Sequence, residues 1–129
     1  MLIRHKPDSI NPPFSAYSHG VEVPEAARWL FVSGQVGVAP DGGLADGEAA
    51  QHEQAWRNVL AILESAGMGP ADIVRVNAYV TSQEGVPVFR TVRDRMLAGA
   101  EPASTLLIIS GLAHPDWLVE IEVVAAKAP

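Results

Sequence analysis

Two carboxylates two residues apart, Glu120 and Glu122 in Leu118-Val-Glu-Ile-Glu-Val-Val, have a spacing that suits chemistry. On a strand, residues i and i+2 share a face, so the pair stands beside Leu118 and Val124. A solvated strand face accounts for Glu122. Glu120 lies near the start of an otherwise apolar strand, and a carboxylate there is suited to holding or activating a water. A second stretch, Pro102-Ala-Ser-Thr-Leu-Leu-Ile-Ile-Ser-Gly, sets Ser104 and Thr105 ahead of four aliphatics and carries no charge. Its hydroxyls can orient a ligand but not neutralise one. Arg90, Arg93 and Arg95 fall on one helix-like segment. Such clusters are usually solvated, although a guanidinium turned into a crevice is a good carboxylate holder.

Other chemistries lack their residues. The histidines are His5, His19, His52 and His114, and they are expected on the surface or in loops. His52-Glu53 begins like a zinc-protease helix, but Trp56 stands where the second histidine is required. With no cysteine in the chain, thiolate nucleophiles and sulfur metal sites are excluded. There is no G-x-S-x-G elbow, and the adjacency of Ser18 and His19 does not orient a base toward a nucleophile. Gly42, Gly43 and Gly47 lack the lysine and spacing of a phosphate loop. No metal site is expected.

Composition narrows the class of partner. The chain has 129 residues, 48% of them hydrophobic, enough for one core in a single domain over 1–129. Its net charge of −6 disfavours a sequence-blind grip on nucleic acid or an anionic membrane. No apolar stretch approaches the roughly 20 residues needed to span a bilayer. The amino-terminal segment lacks an uninterrupted apolar run of the secretory kind, so a cytoplasmic location is expected.

These groups must be positioned by alternating strands and helices. Strands are expected at 2–5, 20–23, 29–36, 72–82, 105–109 and 118–126, with helices at about 47–66 and 86–98. Asp46 is expected to cap the first helix and Gly67 to end it. Val74, Val76, Ala78 and Val80 should face one side of their strand, and Val88, Phe89, Val92 and Met96 the inner side of the second helix. The order is β-β-β-α-β-α-β-β, an α+β fold. Right-handed crossovers put both helices on one face of a mixed sheet. The other face is then bare, yet Leu106 to Ile109 are apolar on both sides. Self-association is the simplest cover.

Six segments in register resemble the RidA/YjgF family, also called L-PSP endoribonuclease-like. They are Ala16-Tyr-Ser-His-Gly, Leu30-Phe-Val-Ser-Gly-Gln-Val, the 55–67 helix, Asp72 to Thr81, Pro102-Ala-Ser-Thr, and Leu118 to Ala126. The resemblance covers essentially the whole chain. It implies a chorismate-mutase-like fold and a homotrimer with a central barrel and inter-subunit clefts. It also implies hydrolysis of enamines and imines to a keto acid and ammonia without a cofactor. Carried over by position, Tyr17, Ser33, Gly34 and Gln35 line the cleft and Glu120 handles water; in the hydrolase reading Ser104 and Thr105, which depart from the family pattern, would orient substrate. Deaminating members carry Pro-x-Arg where this chain has Ser104. Replacing a charged hydrogen bond by a neutral one costs about 1–2 kcal/mol, roughly 5- to 30-fold in affinity. The resemblance therefore implies an altered substrate, with Arg90 in register to bind a ligand carboxylate from the helix side. A non-catalytic trimer that binds a small metabolite is the alternative. An endoribonuclease is a third reading, disfavoured by the acidic balance.

Overall fold

Alternation of Val76, Ala78 and Val80 with Asn77 and Tyr79 builds the central strand of the sheet. A computed structural model describes residues 1–129. Its elements are β1 (Ile3–His5), β2 (Gly20–Glu22), β3 (Arg28–Gln35), α1 (Glu48–Ser65), β4 (Ile73–Val80), α2 (Gly85–Leu97), β5 (Ala103–Ile108) and β6 (Val119–Lys127). This is the expected α+β order. Strands β1 and β2 pair with each other as a separate ribbon, leaving a mixed four-stranded sheet in the order β3-β6-β4-β5. Strands β4 and β5 are parallel, joined through α2, and the remaining pairs are antiparallel.

One face of the sheet carries the core. Val32, Val76, Ala78, Val80, Val119, Ile121, Val123 and Ala125 meet Ala55, Trp56, Val59 and Leu63 of α1, and Phe89, Val92 and Leu97 of α2. The opposite face has no covering element. Trp29 and Phe31 stack there at 6.4 Å and are 52% and 76% exposed. Leu107 and Ile108 on the edge strand β5 are about half exposed.

Several details differ from the sequence reading. The first helix is capped by Gly47 at φ 95°, with no side-chain hydrogen bond from Asp46. The chain enters through a left-handed turn that only glycine adopts cheaply, and Asp46 lies one residue too early to reach the free N–H groups. In β4 it is Ile73, not Val74, that is fully buried, because a bulge between Ile73 and Arg75 shifts the alternation. His52 is no surface histidine. It is completely buried beside Phe89, at 6.1 Å between rings. Arg93 likewise leaves the solvated face expected for the helix arginines and is 3% exposed.

Candidate functional site

The strand ends that carry the chemistry are fixed by polar side chains rooted in the core. Asn58 on α1 donates to the carbonyls of Val36 and Val38, holding the end of β3 against the helix. Buried Gln51 donates to the Asp116 carbonyl and accepts from the Leu118 N–H, which sets the loop leading into β6. Buried Ser18 donates to the Glu101 carbonyl at 2.6 Å, and its N–H donates to the Pro102 carbonyl. The 14–18 segment, and Tyr17 with it, is thereby pinned beside the start of β5.

Glu120 lies on the uncovered face, between the inward-facing Val119 and Ile121. Nearby, β3 bulges: the four residues from Val32 to Gln35 match three on β6, so that Ser33 and Gly34 lie against Glu122 alone. Gly34 sits in this bulge, and its missing side chain is what admits the carboxylate. A Cβ there would stand 1.8 Å from Oε2 of Glu120. No side chain of the protein hydrogen-bonds to Glu120, whereas Glu122 accepts from the Tyr79 hydroxyl at 2.7 Å. That bond, reinforced by desolvation and by the charges of Glu122 and Glu120, pushes the Tyr79 phenol above its usual range. Ser33 and Gln35 flank the bulge, with Gln35 Nε2 donating to the Ser33 carbonyl.

Ser104 and Thr105 do not face the same side. Thr105 pairs with Asn77 on the uncovered face and accepts from Nη2 of Arg75 at 2.9 Å. Ser104 pairs with Val76 and points toward α2. There it joins Phe14, Ser15, Tyr17, Arg90, Arg93 and Leu106 in lining a groove of about 190 Å³ at the sheet edge. The residues singled out from sequence thus form two half-sites. Glu120, Ser33, Gly34 and Thr105 lie with the open face, Gln35 pairs beyond the bulge with inward-facing Ile121, and Tyr17, Arg90 and Ser104 line the edge groove.

Arg93, Phe14 and Ser15 were missed as groove residues. For Arg93 a signal existed. It lies four residues after buried Phe89 and three after Arg90, so helical periodicity directs it between core and groove. Nothing local in the sequence marks the 13–15 loop. No cluster of three or more acidic or histidine side chains is placed to hold a metal ion, and no helix is long and apolar enough to cross a membrane.

A mixed sheet backed on one side by two crossover helices, its other side open and polar-edged, defines the chorismate-mutase-like α+β fold of the Rid proteins. The chain belongs to that family: the family described as "Endoribonuclease L-PSP" matches residues 7–127. It is 35% identical to a "RutC family protein" of Aquifex aeolicus over 89% of this chain and 91% of that one. It is 27% identical to the "2-iminobutanoate/2-iminopropanoate deaminase" of Mus musculus over 95% of this chain and 87% of that one. Among solved structures, the Rid protein YyfB of Yersinia pestis, itself of unknown function, superposes with a TM-score of 0.88. It is 32% identical, and 98% of each chain is covered.

Proposed function

We propose that the chain is a cofactor-independent hydrolase of enamine or imine C–N bonds, acting on a small carboxylate-bearing substrate in clefts between subunits of a homotrimer. The observation that carries this reading is Glu120, a carboxylate with no hydrogen-bonding side chain, seated over Gly34 on a face the chain leaves uncovered. The exposed Trp29, Phe31 and Leu107 support burial of that face against further copies. Association also offers a way to bring the open face of one subunit to the edge groove of another, which a single chain keeps apart.

In the proposed reaction Glu120 takes a proton from water as the oxygen adds to the imine carbon. Returning that proton to nitrogen gives a carbinolamine. Glu120 then carries the proton of its new hydroxyl to the same nitrogen, the carbonyl forms as the C–N bond breaks, and a 2-imino acid and water have become a 2-keto acid and ammonia. A positioned carboxylate used in this way contributes roughly 100- to 10,000-fold. Tyr17, Ser104 and Arg90 orient the acid. Ser33, Gly34 and Gln35 shape the wall around Glu120, and Thr105 steadies Arg75 on the same face. The reading is tested by coupling the protein to a threonine or serine dehydratase and following loss of the released intermediate. Acceleration in wild type that disappears in Glu120→Gln supports it; a rate equal to spontaneous hydrolysis sinks it.

A second reading is favoured by the separation of the two half-sites. The groove with Arg90, Arg93 and Ser104 is built without Glu120, so it suits a protein that holds a small acid without turnover. Thermal stabilisation by keto acids with no conversion of imines would select it.

A further inference from the structure

We propose that Arg93 is the anchor for the ligand carboxylate in the edge groove, with Arg90 as a second, solvent-exposed arm. The proposal rests on the cleft reading above for the kind of acid bound, and its physical argument is local. The chain carries a net charge of −6, yet the groove lining contains two guanidiniums and no carboxylate. The lining is opposite in sign to the molecule as a whole, which favours a small anion.

Arg93 is the better placed of the two. Its side chain is 3% exposed, and its Cζ lies 5.4 Å from the centre of the Phe89 ring, which fixes the plane of the guanidinium. Its two hydrogen bonds, from Nε at 3.0 Å and Nη2 at 2.9 Å, both end on Oδ1 of Asp94, a residue half exposed to water. A guanidinium presents five N–H donors in a rigid fork. Nη1 has no partner in the chain, so a buried cation is left with donors to spare beside an open groove. Nη1 is unpartnered but not fully buried, so it opens toward the groove, where a ligand carboxylate can accept from it. Arg90, three residues earlier on the same side of α2, is exposed and makes no ion pair or hydrogen bond.

The opposite wall sets the rest of the ligand. Ser104 makes no side-chain hydrogen bond and leaves room in front of Arg93. The Tyr17 hydroxyl accepts from the Phe14 N–H at 3.2 Å, so its own proton is free to donate. Phe14 and Leu106 supply apolar surface. A volume of about 190 Å³ is below the roughly 300 Å³ at which drug-sized sites begin. The fitting ligand is a short-chain carboxylic acid with a small apolar tail.

Calorimetric titration of 2-oxobutyrate and of inorganic phosphate tests this. The proteins are wild type, Arg93→Met, Arg93→Lys and the double variant Arg93→Met/Ser104→Arg, with folding checked by circular dichroism. Losing a charge-assisted pair should weaken 2-oxobutyrate binding roughly 10- to 100-fold in Arg93→Met. The double variant should regain affinity, since its guanidinium enters the same groove from the other wall. A purely structural role for Arg93 would give no such rescue. Wild-type affinity in Arg93→Met, phosphate bound as tightly as 2-oxobutyrate, or an absence of rescue overturns the proposal. Where Arg93→Met does not fold, Arg93→Lys carries the test, and unchanged affinity there overturns it equally. The dehydratase assay on the same proteins separates the two ideas. Arg93-dependent binding without turnover removes the hydrolase and leaves the anchor; turnover with Arg93-independent binding does the reverse.

Discussion

The Glu120 carboxylate occupies the space that a side chain on Gly34 would fill, with Oε2 1.8 Å from the position of a Cβ. The clash is with the far end of a flexible side chain, so the backbone need not move. Gly34→Ala should therefore fold with a stability loss of about 1 kcal/mol or less, within the usual range for substitutions outside the core. It should nonetheless turn the carboxylate away. Turnover in the dehydratase assay is expected to fall to the level of Glu120→Gln while urea unfolding changes little. Full activity in a folded Gly34→Ala would show that the seat is not needed.

His52 makes the fold sensitive to acid. Its ring is fully buried and neither nitrogen has a hydrogen-bond partner, so desolvation lowers its pKa from 6.5 to about 4. The folded chain takes up this proton less readily than the unfolded chain, and protonation therefore favours unfolding. The stabilising effect is complete above pH 6.5. It is lost as pH falls toward 4, by about 3 kcal/mol in total. Urea titrations across this window should show a decline that is flatter in His52→Leu. Glu48, whose carboxyl is raised by burial and by Glu84, works in the opposite sense, so the comparison between variants is the measurement.

The Tyr79–Glu122 bond gives a spectroscopic handle on the open face. Because the hydrogen bond to Glu122 is the largest cause of the raised phenol pKa, Glu122→Gln should move the tyrosine titration to lower pH. The chain has two tyrosines, so absorbance near 295 nm in a Tyr17→Phe background isolates Tyr79. An unchanged titration would mean the bond does not persist in solution.

Phe31 is 76% exposed and stacked on Trp29, so it contributes little to the core of a single chain. In the proposed trimer it is buried. Phe31→Asp should leave the circular dichroism of the fold intact and shift sedimentation from trimer toward monomer. Turnover should fall with it if the cleft needs two subunits. A Phe31→Asp protein that sediments as wild type would place the interface elsewhere.

The strand and helix order was legible because burial imposes period 2 on β4 and β6 and period 3.6 on α1. The bare face was legible too, through a β5 segment apolar on both sides with nothing left in the chain to cover it. Bulges escaped, since one inserted residue at Val74 or around Ser33-Gly34 alters no composition yet reverses which neighbours face inward. His52 and Arg93 escaped for another reason. A lone polar residue on an apolar helix face reads as surface unless its surroundings are known: His52 of α1 meets Phe89 of α2, and Arg93 folds back over the same Phe89 one turn earlier on its own helix.

Alternation along β5 alone separates Ser104 from Thr105, and the separation predicts two different kinetic defects. Ser104 borders the Arg93 groove, so Ser104→Leu should crowd the carboxylate and raise KM, with kcat less affected. Thr105 faces the other side and holds Arg75, which also bonds Asn77 two residues along β4. Thr105→Val keeps the volume and removes the acceptor, freeing Arg75 to move on the face that carries Glu120. Its effect should appear in kcat, with 2-oxobutyrate affinity near that of wild type. A rise in KM alone for Thr105→Val would mean that the two hydroxyls serve one subsite after all, with the second reaching it from a neighbouring subunit.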